Sequence, residues 1–177
     1  ELAGFFEKEV RSRGCKVVRS LSYPQETSDF SSHIKLLFGV KGTEKKEGRR
    51  RIMEYNSAVA ADALYIPDFA ETVSMIAPYL AYYNINGVQL LGSNAWNSQK
   101  LLDAGVNVEG AVFVDGFFPK SSREGARDFT ERFKEAYGRA PGMIEAQAYD
   151  AAAMLISAIP EVKGSGPDRG AVKERLL

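Results

Sequence analysis

The sequence predicts an α/β fold: a three-layer αβα arrangement built on a mainly parallel, doubly wound sheet. Three observations predict it. Short apolar runs (Ala63-Leu64-Tyr65-Ile66, Val88-Gln89-Leu90-Leu91 and the stretch from Gly110 to Pro119) alternate with segments of helical period. The first two runs are joined by a break at Pro67-Asp68 and an amphipathic segment, which together make one βαβ unit. The composition, 45% hydrophobic and 26% charged over 177 residues, is that of a chain with enough apolar surface to bury a core.

Each element follows in order. Leu2, Phe5, Phe6 and Val10 share one face of a first helix, with Gly14 placed to end it. Cys15 to Leu21 reads as a strand, in which the lone cysteine is buried and inert. After the loop at Tyr23-Pro24, Ser28-Asp29 can cap a helix carrying Phe30, Ile34, Leu37 and Phe38. Residues 40–60 combine charges with two early glycines and few apolar positions, and are expected to form a flexible, poorly ordered surface loop rather than a binding patch, because Lys and Glu are mixed with the Arg49-Arg50-Arg51 triplet. A helix follows Phe69, with Val73, Ile76, Ala77 and Leu80 inward; Pro78 should kink or split it. Tyr79, Tyr82 and Tyr83 are expected to pack on the sheet or on a neighbouring lobe. Beyond Trp96 come a short helix with Leu101 and Leu102 inward, the Gly110 strand, and a helix capped by Ser121 or Ser122 and striped by Ala126, Phe129, Phe133, Ala136 and Tyr137. The next helix gathers Ala148, Ala151, Ala152, Leu155 and Ile159 on one face. Gly164-Ser165-Gly166-Pro167 reads as a linker before a last helix capped by Asp168. Both ends fall inside helical patterns, so the sequence reads as a piece of a longer chain.

Lys plus Arg equals Asp plus Glu at 23 each, so nothing in the overall charge is built for nucleic acid or an anionic membrane. No apolar run approaches the roughly 20 residues of a membrane span. Enzymatic chemistry has little to stand on. His33 is the only histidine and lies on an amphipathic helix, no phosphate-binding glycine loop is present, and no acid pair among Asp62, Asp68 and Asp115 carries a sign of tuning. The chain is therefore expected to be no enzyme and to need no cofactor or metal.

A binding crevice remains. Parallel neighbours end side by side, and in open α/β sheets ligands lodge at that edge. The turns after the two strands supply Asp68, Phe69, Ser93, Asn94 and Trp96: polar groups, aromatic walls, and helix N-termini beyond them that favour an anionic group. The same residue types also shape ordinary turns and cores, and both readings stand for each of them.

Leu21-Ser22-Tyr23-Pro24 through Thr27-Ser28-Asp29-Phe30, then DALYIPDF, QLLGSNAW, EGAVFVDGFF, FTERFKEAYGRAPG and AQAYDAAAMLI resemble, in that order, the second half of the type I periplasmic solute-binding proteins of the leucine/isoleucine/valine-binding kind. They also resemble the related domain of penicillin-binding-protein activator lipoproteins. The resemblance implies that residues 1–116 are most of the second ligand-binding lobe, and that 117–177 cross the hinge and add helices to the first. It implies a periplasmic or extracytoplasmic solute-binding domain of an ABC importer, with or without a lipid anchor in the full-length parent. Such a domain closes two lobes on an amino acid or similar small polar ligand and hands it to a membrane permease. In the activator branch the partner is instead a cell-wall synthase. The family's aromatic ligand contact falls on Phe69, and its acidic contact to the ligand ammonium falls on Asn94, which is neutral. An isolated piece is expected to bind ligand poorly and to self-associate through Phe117-Phe118 and the 148–159 face.

Overall fold

The computed structural model describes residues 1–159 and 169–176. The chain divides into two compact units, Glu1–Asp115 and Gly116–Leu177.

The first unit opens with α1 (Leu2–Ser12). Gly14 ends it at φ +79°, and the Cys15 and Gly14 amides return to the Val10 and Arg11 carbonyls, the paired bonds of a Schellman motif. Phe6 stacks on Tyr65 with 3.9 Å between ring centroids, while Leu2 and Phe5 stay exposed. The strand expected over Cys15–Leu21 does not form, and Cys15 is exposed rather than buried. A strand is held by a neighbour's ladder, and none of the described strands pairs with this run. It is fastened by a side chain instead, the Arg19 guanidinium donating to the Leu36 carbonyl.

Helix α2 (Ser31–Phe38) buries Ile34 and Phe38. Phe30, not Ser28 or Asp29, stands at its N-cap, and Asp29 satisfies an early amide, its Oδ1 accepting from Ser31 N at 2.8 Å. Residues 40–60 correct the expectation of a structureless loop. β1 (Lys41–Glu47) and β2 (Arg50–Asn56) form an antiparallel hairpin in register from Lys41↔Asn56 to Glu47↔Arg50. Only Gly48 and Arg49 lie between the strands, and Gly48 takes φ +60° at the first turn position, where a two-residue hairpin of the type II′ kind calls for glycine. At the base, Tyr55 packs edge-on against Tyr83 at 5.0 Å. Its strand partner Gly42 leaves the room, since a Cβ there would lie 2.7 Å from Met53 Cε.

The βαβ unit follows. β3 (Ala63–Tyr65) runs parallel to β4 (Gln89–Gly92) with Leu64 opposite Leu90, and β4 runs parallel to β5 (Val112–Phe113) with Leu91 opposite Val112. The sheet order is β3-β4-β5. The third strand is far shorter than the Gly110–Pro119 run suggested, because its ladder stops after Phe113. Between β3 and β4 lies α3 (Ala70–Tyr82), a single helix running through Pro78. Pro78 is exposed, and Val73, Ile76, Ala77 and Leu80 beside it are buried, so packing holds together a helix whose ladder lacks one donor. The tyrosines of α3 serve α2 and the hairpin rather than the sheet: Tyr79 donates to Asp29 at 2.9 Å, Tyr83 shares a 2.5 Å bond with Ser31 Oγ, and Tyr82 lies 5.5 Å from Tyr55. In α4 (Gln99–Asp103), Ser98 caps the Lys100 amide; Leu101 is buried, but Leu102, expected inward, is exposed. One core joins these pieces, with Phe30, Phe38, Val73, Leu90 and Trp96 at its centre.

The second unit holds α5 (Glu124–Tyr137), α6 (Met143–Ala158) and α7 (Arg169–Leu176). Arg123, not Ser121 or Ser122, stands at the α5 N-cap, and Ser121 Oγ accepts from the Arg123 amide. Gly138, at φ +68°, ends α5. Of the α5 stripe Phe129 is buried and Tyr137 exposed, while Ala148, Ala151, Ala152, Leu155 and Ile159 are all exposed. The expected 164–167 linker and Asp168 cap lie outside the described residues.

Candidate functional site

Parallel pairing decides where β3 and β4 finish. Ile66 N donates to Leu91 O at 2.9 Å, continuing the ladder one residue past β3, so Pro67-Asp68-Phe69 and Ser93-Asn94 leave the sheet side by side at its carboxyl edge. Val114-Asp115, after β5, leaves at the same edge. The edge brings Asp68, Phe69, Ser93 and Asn94 together.

Their surroundings give them different capacities. Phe69 is the N-cap residue of α3 and is 65% exposed, a large apolar ring left in solvent where the helix starts. Ser93 is buried and extended, at the N-cap of the one-turn 3-10 helix Asn94–Trp96, and Asn94 beside it is exposed. Asp68 is half-buried with both carboxylate oxygens engaged: Oδ1 accepts from the Phe69 amide at 2.7 Å and Oδ2 from the Tyr23 hydroxyl at 2.8 Å. Burial, then the hydrogen bond to Asp68 and its negative charge, push the Tyr23 phenol well above the ordinary tyrosine range. On the β5 side, Asp115 accepts from the Asn97 amide group. Both carboxylates of the edge are thus already hydrogen-bonded within the fold.

Trp96, read from the sequence as an aromatic wall, lies in the core under the edge. It is 0% exposed, its indole N–H donates to Ile66 O at 3.1 Å, and its ring lies against Gly92 so closely that a Cβ there would be 2.1 Å from Trp96 Cδ2. That single residue joins the ends of β3 and β4 from beneath, fixing the spacing of the two turns above it.

Tyr23 is the residue that sequence reasoning passed over at this site. Its signal was its place, two residues past the apolar Val17-Val18…Leu21 run, where a chain leaving a strand would reach the same edge. His33 packs near Tyr23 and Phe30, each at 6.0 Å between ring centroids, and its Nδ1 is buried without a hydrogen-bond partner among the described residues. Among the described residues no group of three His, Cys, Asp or Glu could hold a metal ion. No helix among them is long and apolar enough to cross a membrane. The apolar groove lined by Phe129, Phe133, Tyr137 and Tyr149 lies on the second unit and shares no residue with the edge.

Polar turns and one exposed aromatic thus meet at the carboxyl edge of a parallel sheet, the edge at which open α/β folds lodge ligands. Over residues 52–177 the sequence matches the family model described as periplasmic binding protein, and the chain belongs to that family. Among curated proteins none matches it. Solved structures share its fold: a leucine-binding protein from Thermotoga maritima (24% identity, TM-score 0.65, covering 99% of this chain and 44% of that one); a protein from Rhodospirillum rubrum described as a branched-chain amino acid ABC transporter (21%, 0.75, 98% and 44%); and an ABC transporter substrate-binding protein from Desulfitobacterium hafniense in complex with Leu (22%, 0.61, 99% and 44%). The chain spans less than half the length of these relatives.

Proposed function

We propose that the whole protein is an extracytoplasmic receptor of an ABC importer, not an enzyme, that binds a small polar ligand of amino-acid type and delivers it to a membrane permease. In this reading residues 1–116 supply most of the second lobe, and 117–177 carry the crossover and helices of the first. The observation that supports it most is the shared carboxyl edge of β3 and β4, with Phe69 and Asn94 on adjacent turns. The relatives of like fold include one with Leu bound. Closure requires the ligand to bind the closed form more tightly than the open one, which contacts from both lobes provide.

Phe69 would pack against the ligand's apolar part, and Ser93 and Asn94 would meet its polar end. Asp68 positions Phe69 through the Phe69 amide and is itself held by Tyr23. Trp96 supports both turns from the core. An amide accepts a hydrogen bond from an ammonium but brings no charge, so amino-acid affinity should be weaker than with a carboxylate at Asn94. That neutrality favours a second reading, a module of the penicillin-binding-protein activator type that docks on a cell-wall synthase and no longer needs a solute.

The two readings part on one experiment. The intact parent protein is titrated with an amino-acid panel, read by thermal stability and calorimetry. Transport predicts stabilisation by at least one member, weakened by Asn94→Ala and strengthened about tenfold or more by Asn94→Asp, which gains a charge-assisted bond of about 1.5–3 kcal/mol. No stabilisation by any member, with both Asn94 variants silent, overturns the receptor reading.

A further inference from the structure

The β1–β2 hairpin is charged in a way that its own folding does not require. It holds six of the chain's 23 Lys and Arg against three of its 23 Asp and Glu, so residues 41–56 carry +3 and the rest of the chain −3. The charge concentrates at the tip, where Lys45, Lys46, Arg49, Arg50 and Arg51 stand against Glu47 alone. Every position of both strands except Tyr55 is exposed. The two faces carry one ion pair each, Arg51 with Glu44 at 3.3 Å and Lys45 with Glu54 at 3.6 Å, while Lys46, Arg49 and Arg50 have no carboxylate within ion-pair distance among the described residues. Lys46 faces Arg51 directly across the ladder, a like-charge pair that destabilises a hairpin in isolation. Beside these cations Met53 and Ile52, on opposite faces, are 52% and 40% exposed.

We propose that this hairpin docks on an anionic phospholipid surface. Cations on both faces and at the turn form a prong, not a flat patch shaped for one partner face. The outer half carries no aromatic anchor of the kind that dominates protein interfaces; the hairpin's one aromatic, Tyr55, is turned inward at the base. A layer of phosphate headgroups needs no shape match. It relieves the Lys46 and Arg51 repulsion, and it admits two apolar side chains at the headgroup boundary.

The test uses the 177-residue protein and sedimentation with vesicles. It should partition onto vesicles of equal parts phosphatidylglycerol and phosphatidylcholine at low salt, not onto phosphatidylcholine alone, and release at 0.5 M salt because the attraction is screened. Arg49→Gln with Arg50→Gln should lower the partition roughly 30-fold, from about a fivefold contribution per basic residue near the surface. Arg127→Gln with Arg132→Gln, two exposed cations on α5, should leave it unchanged. Neither arginine of the hairpin pair makes an ion pair among the described residues, and an unchanged melting temperature shows that the variant is folded. Failure to bind the phosphatidylglycerol vesicles overturns the proposal, as does equal loss in the two double variants, which would reflect net charge alone. Capture by immobilised polyglutamate without vesicle binding also overturns it, in favour of an acidic protein partner.

Discussion

Single residues at the carboxyl edge divide into those that build it and those left exposed on it. Tyr23 and Asp68 build it. The Tyr23 hydroxyl donates to a carboxylate, so Tyr23→Phe should cost about 1.5–3 kcal/mol in chemical denaturation. Because the fold raises the Tyr23 pKa, its contribution is complete below the unfolded value near 10 and is lost as pH rises through the higher folded one. Wild-type stability should therefore fall in alkali, and the Phe variant should lose that component of the slope. Gly92 builds the edge by having no side chain. In Gly92→Ala the new methyl would meet the Trp96 ring at 2.1 Å, so turn or indole must shift; a loss of about 1–3 kcal/mol or more is expected, read by the denaturation midpoint. At the acid end, hydrogen bonds from the Ser31 amide and the Tyr79 hydroxyl hold the Asp29 carboxyl below its usual value. Its contribution is present above the unfolded pKa of about 4 and disappears as pH falls through the folded one, so Asp29→Asn should flatten the acid limb of the stability curve.

At the scale of elements, Pro78 separates what local rules dictate from what packing allows. The helix persists although the proline offers no N–H, so Pro78→Ala should restore a donor and raise stability by about 1–3 kcal/mol, provided the ring makes no contact of its own; the midpoint shift in denaturant measures it. The βαβ unit was legible in the sequence because both of its signals are local: apolar runs bounded by Pro67 and Gly92, and helical spacing between them. The edge residues Asp68, Phe69, Ser93 and Asn94 followed from that topology. What was not legible depended on partners distant in the chain. Cys15–Leu21 has strand composition but finds no neighbouring ladder, and residues 40–60 hide their hairpin under charge. Gly48, two residues from closing the register, was the local mark of that turn, and alternation through Arg51, Met53 and Tyr55 marked one face. The aromatic character of Trp96 told equally of wall and core; its complete burial in the fold decides between them.

At the scale of the whole molecule, the apolar surface is distributed unevenly. On the second unit Phe118, Ile144, Met154, Leu155, Ile156 and Ile159 are between 41% and 76% exposed, and the buried residues of the 16-residue helix α6 are Ala146 and Ala158. Patches of this kind are covered when a chain is stable at high concentration, by another part of the same protein or by a second copy. For the 177-residue protein alone the second copy is the cover at hand, and a two-fold arrangement would bury the same face on both sides. Sedimentation equilibrium should then show concentration-dependent dimers, and Ile144→Glu with Ile156→Glu should return the protein to monomer without lowering its stability, since neither side chain is packed in the fold. A monomer at high concentration would show that this face is tolerated in water, and that its apolar residues are no sign of an interface. The same pair of variants in the intact parent separates the remaining alternatives. If residues 117–177 help build the first lobe, charges at Ile144 and Ile156 should destabilise the parent while leaving the stability of the 177-residue protein unchanged.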